Sequence, residues 1–285
     1  MGVSGPKPSY QGLTVLLLES RRSREMAALV STYGGRPILA PALREVPLES
    51  NSEAIAFSDA LVRGDFDCVV LLTGVGTRAL VDVVDRAGSR EAFVAALGQT
   101  RVAARGPKPL AVLRELKVPV WVTAPEPNTW RELLAALDAT GLPLSGLRVA
   151  VQEYGVSNAD LLQGLEARGA QVTRVPVYRW ALPEDVAPLR SAVSSLAGGE
   201  IDVVIVTTAT QAVHLFQVAE TMGQAEAVRE SLRRTVVASI GPTTTEALGQ
   251  QGLATDLEAS HPKMGFLVRE AAARSGELLV AKRRS

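Results

Sequence analysis

Two stretches of this chain read the same way about 135 residues apart, and that duplication constrains the fold more than any other feature. Gly12-Leu13-Thr14-Val15-Leu16 recurs as Gly146-Leu147-Arg148-Val149-Ala150 at an offset of 134, with Gly35 matching Gly169 at the same offset. Asp67-Cys68-Val69-Val70-Leu71-Leu72-Thr73 recurs as Asp202-Val203-Val204-Ile205-Val206-Thr207-Thr208 at 135, and so do Gly106-Pro107 as Gly241-Pro242, Leu113 as Leu248 and Pro127 as Pro262. One net insertion across the whole unit is hard to produce by chance, and a repeat decides how every other motif is read. A chain of 285 residues suits two such domains.

Within each unit an apolar strand, a polar turn and an amphipathic helix alternate, the pattern of a parallel sheet with helices on its faces. The periodicity predicts strands at 13–18, 68–72, 101–104, 118–122, 148–151, 203–206 and 235–240. It predicts helices at 24–33, 53–63, 77–87, 109–116, 130–139, 159–168, 188–196, 210–222, 243–251 and 264–275. The fold class is therefore α/β, with two similar doubly wound parallel-sheet domains. The proline-bearing stretches 37–44 and 172–179 break the pattern at corresponding places, and proline confines them to edges or free ribbons. They are expected to connect the domains, with residues 39–46 running beside 175–182.

Thirty basic and thirty acidic residues give a formal charge of +0, which removes the broad positive field of a nucleic-acid binder. Any anionic partner must be met locally. The one cysteine, Cys68, lies in an apolar run and reads as a small core residue, so no intrachain disulfide is possible and a reducing, cytoplasmic setting is expected. His214 and His261 are the only histidines, so no metal-ligand cluster is evident; His214 reads as a helix-face residue. Residues 1–11 lack the apolar core of a secretory signal, no run reaches the ~18 apolar residues of a membrane span, and 282–285 reads as a frayed, solvated end.

In open parallel sheets ligands bind beyond the carboxyl ends of strands, where turns present backbone N–H groups. Those turns hold Thr73, Gly74 and Gly76; Arg105, Gly106 and Lys108; Tyr154 and Gly155; Thr207, Thr208 and Ala209; and Gly241, Thr243 and Thr244. Such residues also serve simply as helix caps. Taken functionally, several helix N-termini converge on one polyanion, assisted by Arg105, Lys108 and, after the first strand, Arg21 and Arg22. Gly74-x-Gly76 lacks the third glycine of a dinucleotide loop and no Walker-type motif occurs, which disfavours a nucleotide.

The order of Gly-Leu-Arg-Val at 146–149, Gly169-Ala170-x-Val172 with Val177-Tyr178-Arg179, the 202–207 strand, and Ile240-Gly241-Pro242-Thr243-Thr244 with Ala247-Leu248 resembles the uroporphyrinogen-III synthase family over residues 12–275. The resemblance implies two lobes joined by a two-strand ladder, one lobe from 1–44 with 181–285 and the other from 45–180, with the ligand held between them. It also implies a monomeric lyase that cyclises hydroxymethylbilane, a linear tetrapyrrole with eight carboxylates, expelling water and inverting the last ring without any cofactor, nucleic acid or membrane. Positioning is the main demand of such chemistry. Tyr178 matches the tyrosine of the family's Val-Tyr-Arg/Gln motif and is the candidate proton donor, or else a hinge anchor; Thr208 and Thr244 match cleft Ser/Thr positions. The sequence departs from the family at Thr73-Gly74, Thr207-Thr208 and Gln152-Glu153, and Glu153 is expected to turn away from a polyanion. The alternatives are a non-catalytic tetrapyrrole- or anion-binding sensor of the same shape, and a catalytically weak paralogue.

Overall fold

The computed structural model describes residues 7–47, 51–153, 155 and 157–284. In chain order the elements are β1 (Thr14–Leu17), α1 (Ser23–Thr32), β2 (Arg36–Leu39), β3 (Arg44–Pro47), α2 (Ser52–Val62), β4 (Cys68–Leu71), α3 (Gly74–Arg86), α4 (Arg90–Gln99), β5 (Arg101–Ala104), α5 (Pro107–Glu115), β6 (Val122–Thr123) and α6 (Trp130–Asp138). There follow β7 (Arg148–Gln152), α7 (Ala159–Glu166), β8 (Gln171–Val175), β9 (Tyr178–Ala181), α8 (Ala187–Ala197), β10 (Val203–Val206), α9 (Ala209–Thr221), α10 (Ala225–Leu232), β11 (Val236–Ser239), α11 (Pro242–Gln250), β12 (Leu257–Glu258) and α12 (Met264–Arg284). The chain divides into two compact units, one from its N-terminal stretch to Arg44 together with everything from Ala181 onward, the other Glu45–Trp180.

Each unit carries a five-stranded parallel sheet, ordered β12-β11-β10-β1-β2 in the first and β6-β5-β4-β7-β8 in the second. The two orders match strand for strand, β1 and β2 with β7 and β8 and β10 to β12 with β4 to β6, although the chain enters the first at β1 and the second at β4. Each has one point where the winding reverses, β10 beside β1 and β4 beside β7, and there the loops at the carboxyl ends part. Buried clusters line both faces of each sheet, with Leu16, Val204 and Phe216 on one side of the first sheet and Val15, Ile205 and Leu267 on the other. The central strands β4 and β10 are buried at every position, as a strand covered on both faces must be.

The repeat extends to individual bonds. The Asp202 carboxylate accepts the Thr14 N–H at 2.8 Å and the Asp67 carboxylate accepts the Arg148 N–H at 2.9 Å, so each central strand is clasped to its switch-point neighbour by an aspartate just before it. Gly12 N–H donates to Gly34 and Gly146 N–H to Gly169, which makes Gly34, not Gly35, the structural equivalent of Gly169. Gly34 and Gly169 both adopt positive φ, closing the helix before the edge strand, where a side chain would be strained.

Several expectations change. The stretch from Pro37 is not a free ribbon: Arg36–Leu39 and Gln171–Val175 are the edge strands of the sheets, where a proline is tolerated because one side of the strand needs no donor. Pro41 and Pro176 then end them, and the two-strand antiparallel ladder forms further along, between β3 and β9. The strand expected at 118–122 shrinks to Val122–Thr123. Lys117 takes φ +58 and Val118 N–H closes back on the Leu113 carbonyl, so 117–118 is the terminus of α5. Helices α4 and α10 and strand β12 were not anticipated, although α4 and α10 start 135 residues apart, as do β6 and β12.

The tail is not frayed. Helix α12 runs to Arg284, Lys282 donates to the Leu232 and Thr235 carbonyls and to Asp256 at 2.6 Å, and Arg283 pairs with Asp202 at 2.8 Å. His214 lies on the buried face of α9, its Nδ1 2.7 Å from the Ala42 carbonyl. Burial pushes the Cys68 thiol up to about 12, which keeps it an inert core residue.

Two stability experiments follow. Hydrogen bonds from Arg148 hold the Asp67 carboxyl below its ordinary value, so its contribution is complete above about pH 4 and fades as pH falls through the folded value. Asp67→Asn is therefore expected to lower the urea midpoint at pH 7, and the gap from the parent should close on acidification. Gly155 takes φ +68, and a Cβ there would land on the Trp180 ring, whereas Gly141 takes φ +71 with nothing nearby. Gly141→Ala should cost about 1 kcal/mol of backbone strain, and Gly155→Ala a further ~1–3 kcal/mol as Trp180 is displaced. Melting temperatures with tryptophan emission check both.

Candidate functional site

In the Glu45–Trp180 unit the expected loops stand together at the carboxyl ends of β4, β5 and β7, and their glycines are the reason. A Cβ on Gly74 would lie 2.8 Å from the Lys108 carbonyl, one on Gly106 2.8 Å from the Asn128 side chain, and one on Gly76 would overlap the Gln152 amide. Three loops thus touch through positions where only hydrogen fits. Thr73 caps α3, its hydroxyl accepting the Gly76 N–H at 3.0 Å. Lys108 is exposed in the first turn of α5; Arg105 is half-buried and its N–H closes on the Leu71 carbonyl. Tyr154 lies outside the described residues.

At the switch point of this unit the space is filled by Gln152, fully buried, whose side chain accepts the Leu72 N–H and donates to the Glu153 carbonyl. Glu153 is turned onto Arg174 of β8, bidentate at 2.8 and 2.9 Å, and also accepts the Ser157 hydroxyl at 2.7 Å. Its carboxylate is therefore compensated within the unit, and the pairing holds the Arg174 guanidinium firmly protonated. Tyr178, the candidate donor, is buried on β9 among the apolar side chains around Phe57 and Leu80, its ring edge-on to Trp180 at 5.3 Å.

The other unit is built on the same plan with different chemistry. Thr207 follows β10; its hydroxyl donates to Glu19 at 2.6 Å and accepts from the Gln211 side-chain amide at 2.9 Å, and its N–H donates to the Gln211 side-chain oxygen Oε1 at 2.8 Å. Glu19 also accepts the N–H groups of Arg21 and Arg22, and the Arg22 guanidinium is paired with Glu25. Arg22 is thus engaged on its own helix, and the loop after β1 is closed on its own carboxylate. Thr208 opens α9 without capping it, unlike its repeat partner Thr73, and Ala209 is the first helical residue. Gly241 precedes α11, Thr243 is partly exposed in its first turn, and Thr244 is buried. Ser239, Thr245 and Glu258 form a hydroxyl chain at 2.5 Å per link that ties β11, α11 and β12 together.

Helix N-termini with N–H groups lacking helical partners, presented by glycine and threonine at the ends of parallel strands, suit carboxylates or phosphates. Glu19, Gln211 and Asn128 were missed by sequence reading, and Gln152 was seen only as a departure from the family pattern. Glu19 had a signal, since it stands 134 residues before Glu153; the others show only through contacts. Among the described residues no group of three His, Cys, Asp or Glu side chains is placed to hold a metal, and no helix is long and apolar enough to cross a membrane.

The HEM4 family, uroporphyrinogen-III synthase HemD, matches residues 24–269. The "Uncharacterized protein YjjA" of Bacillus subtilis is 30% identical over 267 residues, covering 92% of this chain and 95% of that protein. A Methanothermobacter thermautotrophicus protein provisionally named a uroporphyrinogen-III synthase is 31% identical over 234 residues, covering 81% and 87%. Among solved structures, a mutant uroporphyrinogen III synthase from Thermus thermophilus superposes with a TM-score of 0.72 at 26% identity, covering 93% of this chain and 99% of that one. With a matching profile across most of its length and two copies of the same strand order, the chain belongs to the uroporphyrinogen-III synthase family.

Proposed function

We propose that the chain cyclises hydroxymethylbilane to uroporphyrinogen III. The observation that carries this reading is the placement of the Gly/Thr turns opening α3, α9 and α11 at the carboxyl ends of parallel strands, in a chain of this family. The Gly76, Gln211 and Thr244 N–H groups are taken by Thr73, Thr208 and Gly241, and the other N–H groups in the first turns of these helices are the ones that face a substrate with eight carboxylates, with no side chain needed to match each one.

The pyrrole nitrogen of the terminal ring supplies the electrons that expel the hydroxyl as water, leaving an azafulvene. Ring closure through a spiro intermediate then inverts that ring, and the protein's task is to hold the chain coiled while this happens. Tyr178 donates a proton from its phenol to the departing hydroxyl. Thr208, whose hydroxyl makes no cap bond, and Thr244 bind substrate at the opening turns of α9 and α11. Arg105 and Lys108 add positive charge at α5. The reaction takes place in the cytoplasm, on a monomer, without a cofactor.

A deaminase-coupled assay that counts uroporphyrinogen isomers tests this. The chain should yield the type III isomer, with a KM that rises with ionic strength because exposed charge is screened within about 10 Å at 0.1 M salt. Tyr178→Phe should slow the reaction by about a hundredfold or less, since general acid help is worth at least that and pyrrole already drives the departure. A stable Tyr178→Phe variant with full activity would remove the tyrosine from the mechanism. Tight bilane binding with only the spontaneous type I product would favour the sensor reading instead.

A further inference from the structure

The two switch points carry the same glutamate with different partners. Register places Val15 beside Val203 and Cys68 beside Val149, so Glu19 faces Thr207 in one unit and Glu153 faces Leu72 in the other. Leucine offers no hydroxyl, and Glu153 turns to Arg174 and Ser157. Threonine does, and Glu19 takes it in a short charge-assisted bond of 2.6 Å.

The consequence for Thr207 is that its hydroxyl hydrogen, a hydroxyl lone pair and its backbone N–H are all committed, to Glu19 and to the fully buried Gln211. Its side chain is thus occupied in holding the turn. The next residue, Thr208, carries a hydroxyl that makes no cap bond; in the first turn of α9 the Gln211 N–H closes on the Thr208 carbonyl, and the Ala209 and Thr210 N–H groups precede any helical partner. Glu19 is itself fixed from behind by the N–H groups of Arg21 and Arg22, so the brace runs from β1 across the switch point to α9.

We propose that Glu19 and Gln211 are positioning residues that act through Thr207 to fix the Thr208–Ala209 turn against substrate carboxylates; this rests on the reading of the chain as a uroporphyrinogen-III synthase. A carboxylate near a polyanion is tolerated because three donors hydrogen-bond its oxygens, and its charge strengthens the brace. Among the described residues of the other unit the equivalent Leu72 is held through its N–H on the Gln152 side chain with no carboxylate–hydroxyl link, and there Thr73 caps its helix directly.

The test combines single-turnover isomer counting with amide hydrogen exchange of segment 207–211 in the full chain. Glu19→Ala and Thr207→Val should each lower type III formation about tenfold, since a misplacement of about 1 Å costs up to about a hundredfold, and should raise the type I fraction. Thr207→Ser, which keeps the hydroxyl, should stay near the parent. The double variant Glu19→Ala/Thr207→Val should fall no further than the weaker single, because both remove one link. Exchange at 207–211 should quicken in Glu19→Ala and Thr207→Val and not in Thr207→Ser. Additive losses, or a Val variant as active as Ser, would overturn the proposal. If the parent chain forms no type III isomer, the functional reading fails, and unchanged exchange in Glu19→Ala overturns the brace independently of activity.

Discussion

The pairing of β1 with β10 is the contact on which the rest depends, because it joins residues 188 apart in sequence and sets the level at which every loop of that unit ends. Parallel strands have no hairpin to fix their register, so it must come from burial and from specific end contacts. Here the Asp202 carboxylate on the Thr14 N–H supplies the end contact, and the same clasp recurs between Asp67 and Arg148, 81 residues apart. A slip of one residue would exchange the side chains packed on the two faces of the sheet. It would also separate Glu19 from Thr207.

Duplication lets each half act as a control for the other. Both units keep the strand order, the aspartate clasp and the proline at the first turn of the helix after the glycine, as in α5 and α11. What differs lies at the carboxyl ends. One switch point is packed by Gln152 against Gly76 and the other is braced through hydroxyls, so the halves share an architecture while their loops have diverged. The same division between a buried frame and variable loops is general in parallel α/β sheets.

Much of this was legible from the sequence because burial on both sheet faces leaves apolar runs such as Cys68–Leu71 and Val203–Val206, and because each repeat corroborates its partner. The edge strands showed in the sequence only as extended stretches of an edge or a ribbon, since β2 and β8 are half-exposed and carry or adjoin prolines and so lack that signal. Helix α10 hid behind a polar surface, with only Val228 and Leu232 buried. At the candidate site, glycine and threonine in the turns were visible, but the residues that hold them were not: Gln211 and Gln152 act through side-chain geometry that no spacing rule encodes. Lys282 was taken for a solvated end because a single lysine gives no hint that three oxygens await it.

The proposed function requires the strand-end turns of each unit, that opening α3 in one and those opening α9 and α11 in the other, to meet carboxylates. Amide chemical-shift mapping of the full chain with uroporphyrinogen III under anaerobic conditions addresses it directly. Shifts should concentrate at residues 73–77, 207–211 and 241–245 and diminish as salt is raised. Shifts confined instead to the groove between α6 and α7, around Trp130 and Arg168, with the strand-end turns unmoved, would contradict it.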